Sequence, residues 1–126
     1  MTAGESPFKG ETGFRRVVSA TRNSIAGLAE AIRCEDAFRQ ELLLAAVFIP
    51  VGLLVGRTGI ERALLIGSVL VVLIVELLNS AIEATVDRIS FENHRLAKRA
   101  KDIGSAAVLV TLVTAAATWL LVVIDR

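Results

Sequence analysis

The sequence predicts an all-α membrane protein, with three transmembrane helices preceded by an amphipathic surface helix. Three windows, residues 42–56, 63–82 and 103–124, contain a single charged residue, Glu76. The chain as a whole is 54% apolar and 21% charged, and every charged residue except Glu76 lies outside these windows. Soluble domains mix apolar and charged residues on each amphipathic element, and they do not need this segregation.

The lengths of the windows agree with membrane crossing. A helix rises about 1.5 Å per residue, so about 20 apolar residues cross a hydrocarbon core about 30 Å thick. We therefore predict spans over residues 38–56, 63–86 and 103–124 within one domain that covers residues 1–126. The first window is short, and an interfacial or re-entrant segment remains an alternative for it.

Lysine and arginine residues predict the orientation of the chain. Six precede the first apolar window and five lie in the second loop, against two in the first loop and one after the third span. Since cytoplasmic loops carry the excess of these residues, the N-terminus and the second loop are predicted to be cytoplasmic. A formal net charge of +1, without interleaved basic and aromatic residues, argues against nucleic-acid binding.

Two segments predict how the chain meets the membrane and other copies of itself. Residues 13–32 place apolar side chains at helical spacing and basic ones elsewhere, the pattern of a helix lying at the interface. In the third span, Ala107, Thr111, Thr114 and Thr118 form a stripe of small residues, which allows close approach of helices in lipid. Because three helices enclose little space, we expect a homo-oligomer.

A polar stripe along the second span is the main functional indication. At about 100° per residue, Glu76, Asn79, Glu83 and Asp87 fall within ~80° of one another. A carboxylate inside a span is costly, and it indicates a functional site by default. Glu76 lies deepest, where desolvation favours a role as base, whereas the acids nearer the cytoplasm suit a hard divalent cation.

Further charged residues are predicted at the same boundary, without any soluble-kinase signature. Lys101 and Asp102 begin the third span, and residues 35–41 add acids and an arginine before the first. Such a charged cavity suits a phosphate donor with Mg²⁺ that meets a lipid. The chain has no P-loop and no glycine-rich loop of the protein-kinase kind, so scattered cations and metal contacts would hold the phosphates.

Three blocks resemble the prokaryotic integral-membrane diacylglycerol kinases. They are EDAFRQE at residues 35–41, VELLNSAIEATVDRI at 75–89 and RAKDIGSAAV at 99–108. The resemblance extends from residue 13 to about 119, with the same order of three spans. It implies a homotrimer in the bacterial inner membrane that uses ATP and Mg²⁺ to phosphorylate diacylglycerol, giving phosphatidic acid, at active sites shared between protomers.

The resemblance also implies roles for individual residues. Glu76 matches the catalytic base, and Glu35 and Glu83 match the metal-binding acids that also contact nucleotide. The other nucleotide-site matches are Arg16, Asp87, Glu92, His94, Lys101 and Asp102. In addition to Glu76, the lipid-side or supporting positions are Arg16, Thr21, Arg39, Glu41, Asn79 and Ser105. Residues of the surface helix depart most from familiar members, which leaves the acyl-chain preference open.

Two other functions stay open. An undecaprenol kinase would share the fold, the base and the metal acids, and would differ in the groove that faces the lipid. A small proton-coupled transporter would use Glu76 without consuming ATP, but it would leave the cytoplasmic acids and Lys101 without a role.

Overall fold

A computed structural model describes residues 12–89 and 94–125, and these residues form four α-helices. The helices are α1 (Gly13–Cys34), α2 (Asp36–Val55), α3 (Gly59–Ile89) and α4 (His94–Ile124). Three of them, α2, α3 and α4 from Arg95, are long and apolar enough to cross a membrane. The predicted all-α architecture with three candidate spans is confirmed.

The second and third spans belong to helices longer than the apolar windows. Both α3 and α4 have 31 residues, a rise of about 46 Å against the ~30 Å of the hydrocarbon core. The excess falls where α3 ends and α4 begins, and it carries Glu83, Asp87, Lys101 and Asp102. Charged side chains are therefore displayed on regular helix at that end of the bundle.

A capped turn separates α2 from α3. The backbone at Gly56 is extended, and its N–H donates to the Gly52 carbonyl oxygen at 2.9 Å, which closes the last turn of α2. Thr58 Oγ1 then accepts from the Glu61 N–H at 3.1 Å, three residues further on. This arrangement satisfies an N–H that a helix start would otherwise leave unpaired.

The chain divides into two compact units, one containing α1 and the other containing α2, α3 and α4. Within the second unit α3 is central, because it packs against both α2 and α4. The buried apolar side chains of that unit are Phe38, Ala45, Leu65 and Val72. Large apolar residues elsewhere on the three helices are exposed, including Leu54, Ile74 and Leu121, as expected for surfaces that face lipid.

Trp119 connects all three helices of this unit. Its indole Nε1 donates to the Leu65 carbonyl oxygen of α3 at 3.2 Å. Its ring meets Phe48 of α2 edge to face, with centroids 5.3 Å apart. A Cβ on Gly52 would lie 3.5 Å from the indole and 3.4 Å from the Leu65 Cβ, so even a methyl group there would only reach ordinary contact. Trp119 is therefore an interhelical contact within this unit.

The α1 unit is a continuous helix of 22 residues. Thr21 Oγ1 and Ser24 Oγ donate to carbonyl oxygens one turn earlier, both at 2.8 Å, and Arg33 pairs with Glu30. Phe14, Val17 and Ile25 are exposed apolar residues on this helix. Its placement at the membrane surface remains a prediction.

Candidate active site

Glu76 interacts with acidic side chains of α3 and of the start of α2. It sits on α3 and is only 5% exposed. The charges of Glu83, about two turns further along α3, and of Glu35, which immediately precedes α2, both act on its carboxylate. Glu76 in turn acts electrostatically on Glu41 of α2. We call Glu35, Glu41, Glu76 and Glu83 the carboxylate cluster.

Asn79 connects this cluster to the contact between α3 and α4. Its side chain is 8% exposed, and Nδ2 donates to Glu83 Oε1 at 3.3 Å, one turn along the helix. Its Oδ1 is buried and has no hydrogen-bond partner among the described residues. Ser80, the next residue, is equally buried. The helical spacing therefore does place Asn79 and Glu83 in contact, as the sequence pattern indicates.

Two ion pairs lie at the charged ends of α3 and α4. Lys101 Nζ is 2.5 Å from Asp87 Oδ1, an ion pair that joins the two helices. Lys98 Nζ is 2.7 Å from Asp102 Oδ2, one turn away on α4. Lys101 also interacts electrostatically with Glu83, which connects this pair to the carboxylate cluster. Cations and acids thus share one end of the bundle.

An apolar cavity of about 260 Å³ lies beside the cluster. Its walls come from α2, α3 and α4 and include Glu41, Phe48, Val72, Leu112, Ala116 and Trp119. From Glu41 to Phe48 the helix rises about 10 Å, so the cavity extends roughly two helical turns below the acid. Glu41 Oε2 is buried and makes no hydrogen bond to the described residues, although it sits in an apolar wall.

The remaining predicted site residues lie at several places. Arg39 pairs with Asp36 in the first turn of α2, and Ser105 is an exposed residue of α4. Arg16 and Thr21 lie on α1, in the other unit. Glu92 lies outside the described residues, and of His94 only the backbone, which begins α4, is described.

A magnesium ion arriving together with a phosphate donor would have to be held by acids of the carboxylate cluster. Among the described residues no three metal-ligating side chains are grouped tightly enough to hold an ion on their own. Mg²⁺ is commonly held by one or two carboxylates, with water and substrate phosphates completing its six ligands. Glu35 and Glu83, whose charges both act on Glu76, would be the ligands of that kind.

Some residues of the site were not identified from the sequence. Gly104, on α4, faces Asn79, and a Cβ there would collide with Asn79 Oδ1. Glu41, which the resemblance gives only as a lipid-side or supporting position, also interacts with Glu76 and borders the cavity, and the spacing of residues does not indicate either contact. A small residue in a span indicates close packing, but the sequence does not show which neighbour it faces.

The fold and the site together define an all-α membrane protein in which one buried and several half-buried acids meet cations at one end of a three-helix unit. Comparison with known proteins places this arrangement in a family. A family profile for prokaryotic diacylglycerol kinases matches residues 22–123. The chain belongs to the prokaryotic diacylglycerol kinase family, and it is a kinase of the bacterial membrane.

Individual relatives match over most of their length. A diacylglycerol kinase of Pseudomonas aeruginosa is 57% identical over 114 residues, which cover 90% of this chain and 93% of the relative. A diacylglycerol kinase of Escherichia coli strain K12 is 49% identical over 108 residues, covering 86% and 88%. One from Helicobacter pylori strain 26695 is 40% identical over 119 residues, covering 94% and 92%.

Proposed function

We propose that the protein transfers the γ-phosphoryl group of ATP to the primary hydroxyl of diacylglycerol, giving phosphatidic acid and ADP at the cytoplasmic membrane surface. The observation that carries the proposal is the position of Glu76, a buried carboxylate that interacts with further acids, one of which, Glu41, lines an apolar cavity. A lipid hydroxyl and a nucleotide phosphate can meet only at such a boundary.

In the proposed reaction Glu76 accepts the proton of the lipid hydroxyl. The hydroxyl oxygen forms a bond to the γ-phosphorus while the bond from that phosphorus to the ADP oxygen breaks. Proton removal by a positioned side chain typically accelerates a reaction by about 10²–10⁴-fold. The hydrocarbon part of the lipid would occupy the cavity beside Glu41, which brings the hydroxyl to the level of the carboxylate cluster.

The nucleotide is proposed to lie against the charged ends of α3 and α4. Lys101 would contact the phosphates, and Arg16 of α1 is a second proposed contact. Glu35 and Glu83 would hold Mg²⁺, which supplies charge compensation on the phosphate oxygens. Phosphoryl transfer depends mainly on positioning and electrostatics, so a small cluster of polar groups suffices without a soluble kinase fold.

The remaining residue roles and the assembly of the protein are further parts of the proposal. Asp87, Asp102, Glu92 and His94 are proposed nucleotide-side residues, and Thr21, Arg39, Glu41, Asn79 and Ser105 are proposed lipid-side or supporting residues. The protein is proposed to act as a homotrimer with its N-terminus in the cytoplasm. The α1 helix is proposed to lie on the membrane surface, where its exposed apolar residues would enter the interface.

The test is lipid-dependent ATP turnover by the purified protein in mixed micelles. Diacylglycerol and undecaprenol are compared as acceptors, each with and without Mg²⁺, and the lipid product is identified. We expect phosphatidic acid from diacylglycerol, only in the presence of Mg²⁺. Faster phosphorylation of undecaprenol would reassign the acceptor, and turnover that needs no lipid would overturn the kinase reaction proposed here.

A further inference from the structure

Gly104 on α4 directly faces the amide of Asn79 on α3. Gly104 is buried, and a Cβ built on it would lie closer to Asn79 Oδ1 than real atoms approach, with the Asn79 Cγ at 3.3 Å. Its φ is not in the left-handed region, which among the described residues is reached only by Gly13. The structure therefore requires glycine at this position because there is no room for a side chain, and not because of the backbone conformation.

We propose that Gly104 is a positioning residue for the carboxylate cluster and acts through Asn79. The missing side chain leaves room for the Asn79 amide between α3 and α4, from where Nδ2 donates to Glu83 Oε1 at 3.3 Å. Asn79 Oδ1 makes no hydrogen bond within the described part of the chain that would fix the amide instead. The shape of the helix contact thus decides where the amide lies, and the amide orients Glu83.

A methyl group at residue 104 would displace the Asn79 side chain and would leave the two helices in place. The colliding atom is the end of a side chain, which can rotate, whereas separating α3 from α4 would disrupt their whole packed interface. Because Asn79 is only 8% exposed, few other positions are open to its amide. Rotation away from Gly104 would carry Nδ2 away from Glu83 and release that carboxylate.

The functional consequence rests on the proposed role of Glu83 in holding Mg²⁺ with the nucleotide. A released Glu83 would be less often in position, so more Mg²⁺ would be needed and turnover would slow. A hydrogen bond to a charged group contributes enough to change a rate by roughly 10-fold. The displacement of Asn79 itself does not depend on which reaction the protein catalyses.

The experiment compares Gly104→Ala with a matched control, Gly67→Ala, in the intact protein. Gly67 is also helical, on α3, and a Cβ there meets nothing within 4 Å. We expect Gly104→Ala to lower kcat about 10-fold and to raise the Mg²⁺ concentration for half-maximal turnover, with little change in thermal unfolding. Gly67→Ala should match the unmodified protein, and unchanged turnover and Mg²⁺ dependence in Gly104→Ala would overturn the proposal.

A double substitution separates a positioning role from a packing role. If Gly104 acts through Asn79, Gly104→Ala should add no further loss in an Asn79→Ala background, since residues in contact are not additive. Losses that multiply would overturn the proposal. Should Gly104→Ala fail to assemble, the double variant removes the clash and should assemble, and its failure to do so would show that the glycine is needed for packing alone.

A measurement that does not depend on catalysis tests the positioning of Asn79 separately from the proposed function. The side-chain amide resonances of Asn79, assigned in detergent by isotope labelling, should shift in Gly104→Ala and stay in place in Gly67→Ala. Unmoved resonances would overturn the positioning role even in a fully active kinase. Shifted resonances in a protein without lipid-dependent ATP turnover would support the positioning of Asn79 and reject the proposed reaction.

Discussion

Lys101 and Asp87 form an ion pair that joins α4 to α3, with Lys101 Nζ 2.5 Å from Asp87 Oδ1. The two side chains are 41% and 60% exposed. Pairs this exposed contribute roughly 0–1 kcal/mol to stability, so the pair explains little of why the helices associate. The ion pair instead keeps the Lys101 ammonium group where it interacts electrostatically with Glu83, a member of the carboxylate cluster.

We predict that Lys101→Met lowers kcat/KM for ATP by about 10- to 100-fold, because one charged contact to phosphate is lost. The unfolding temperature should hardly change, since the pair is exposed. Lys98→Met is the comparison, because Lys98 pairs with Asp102 on its own helix. Initial rates over a range of ATP concentrations and thermal unfolding in detergent measure both effects. A large drop in unfolding temperature for Lys101→Met would assign the ion pair a structural role instead.

The sequence predicts the helices and one face of the site, and it does so for identifiable reasons. Membrane spans need only length and apolar composition, so three candidate spans follow from the windows alone. Helical periodicity places Asn79 one turn from Glu83, and the two are hydrogen-bonded. Both are properties of a single helix, and the spacing of residues along the sequence determines them.

Contacts between helices are harder to predict, because lipid and the helix interface are both apolar and periodicity does not distinguish them. Trp119 donates to the Leu65 carbonyl oxygen of another helix, a contact that its position in the sequence does not indicate. Gly104 and Asn79 are 25 positions apart, and nothing in either segment indicates that they meet.

Glu76→Gln should abolish turnover while the protein still assembles. Glutamine keeps the size of the side chain and cannot accept the hydroxyl proton, so we expect a loss of about 10²–10⁴-fold in kcat. Glu61→Gln is the control, because Glu61 lies in the first turn of the same helix, far along it from Glu76. Phosphatidic acid formation and size-exclusion chromatography are measured together. Near-normal lipid phosphorylation by Glu76→Gln would remove it as the base.

Trp119 should stabilise the three-helix unit through two separable contacts. Trp119→Phe removes the hydrogen bond to the Leu65 carbonyl oxygen and keeps an aromatic ring against Phe48, so we expect a cost of about 1 kcal/mol. Trp119→Ala removes both contacts and enlarges the cavity, with an expected cost of about 3–5 kcal/mol. Unfolding in mixed detergent micelles gives both values. Equal costs for the two variants would show that the ring contact contributes nothing.

Gly52 should tolerate a methyl group and no more. A Cβ there would lie 3.4 Å from Leu65 Cβ and 3.5 Å from Ile66 Cγ1, an ordinary to slightly tight contact. We expect Gly52→Ala to be nearly neutral and Gly52→Leu to destabilise by about 1–3 kcal/mol, because the larger side chain overpacks the contact between α2 and α3. Thermal unfolding of both variants tests this, and a neutral Gly52→Leu would contradict the close packing of Trp119 and Leu65.

Removal of divalent metal should stop turnover, and the response of single acids should identify the ligands. Chelation is expected to abolish phosphatidic acid formation, and added Mg²⁺ to restore it. Glu83→Gln and Glu35→Gln should each raise the Mg²⁺ concentration for half-maximal turnover about 10-fold or more, because a charged oxygen ligand is replaced by a neutral amide. Glu30→Gln is the control, since Glu30 pairs with Arg33 on α1. If Glu35→Gln and Glu83→Gln lower kcat without changing the Mg²⁺ requirement, these acids act on the nucleotide or on Glu76 and do not bind the metal.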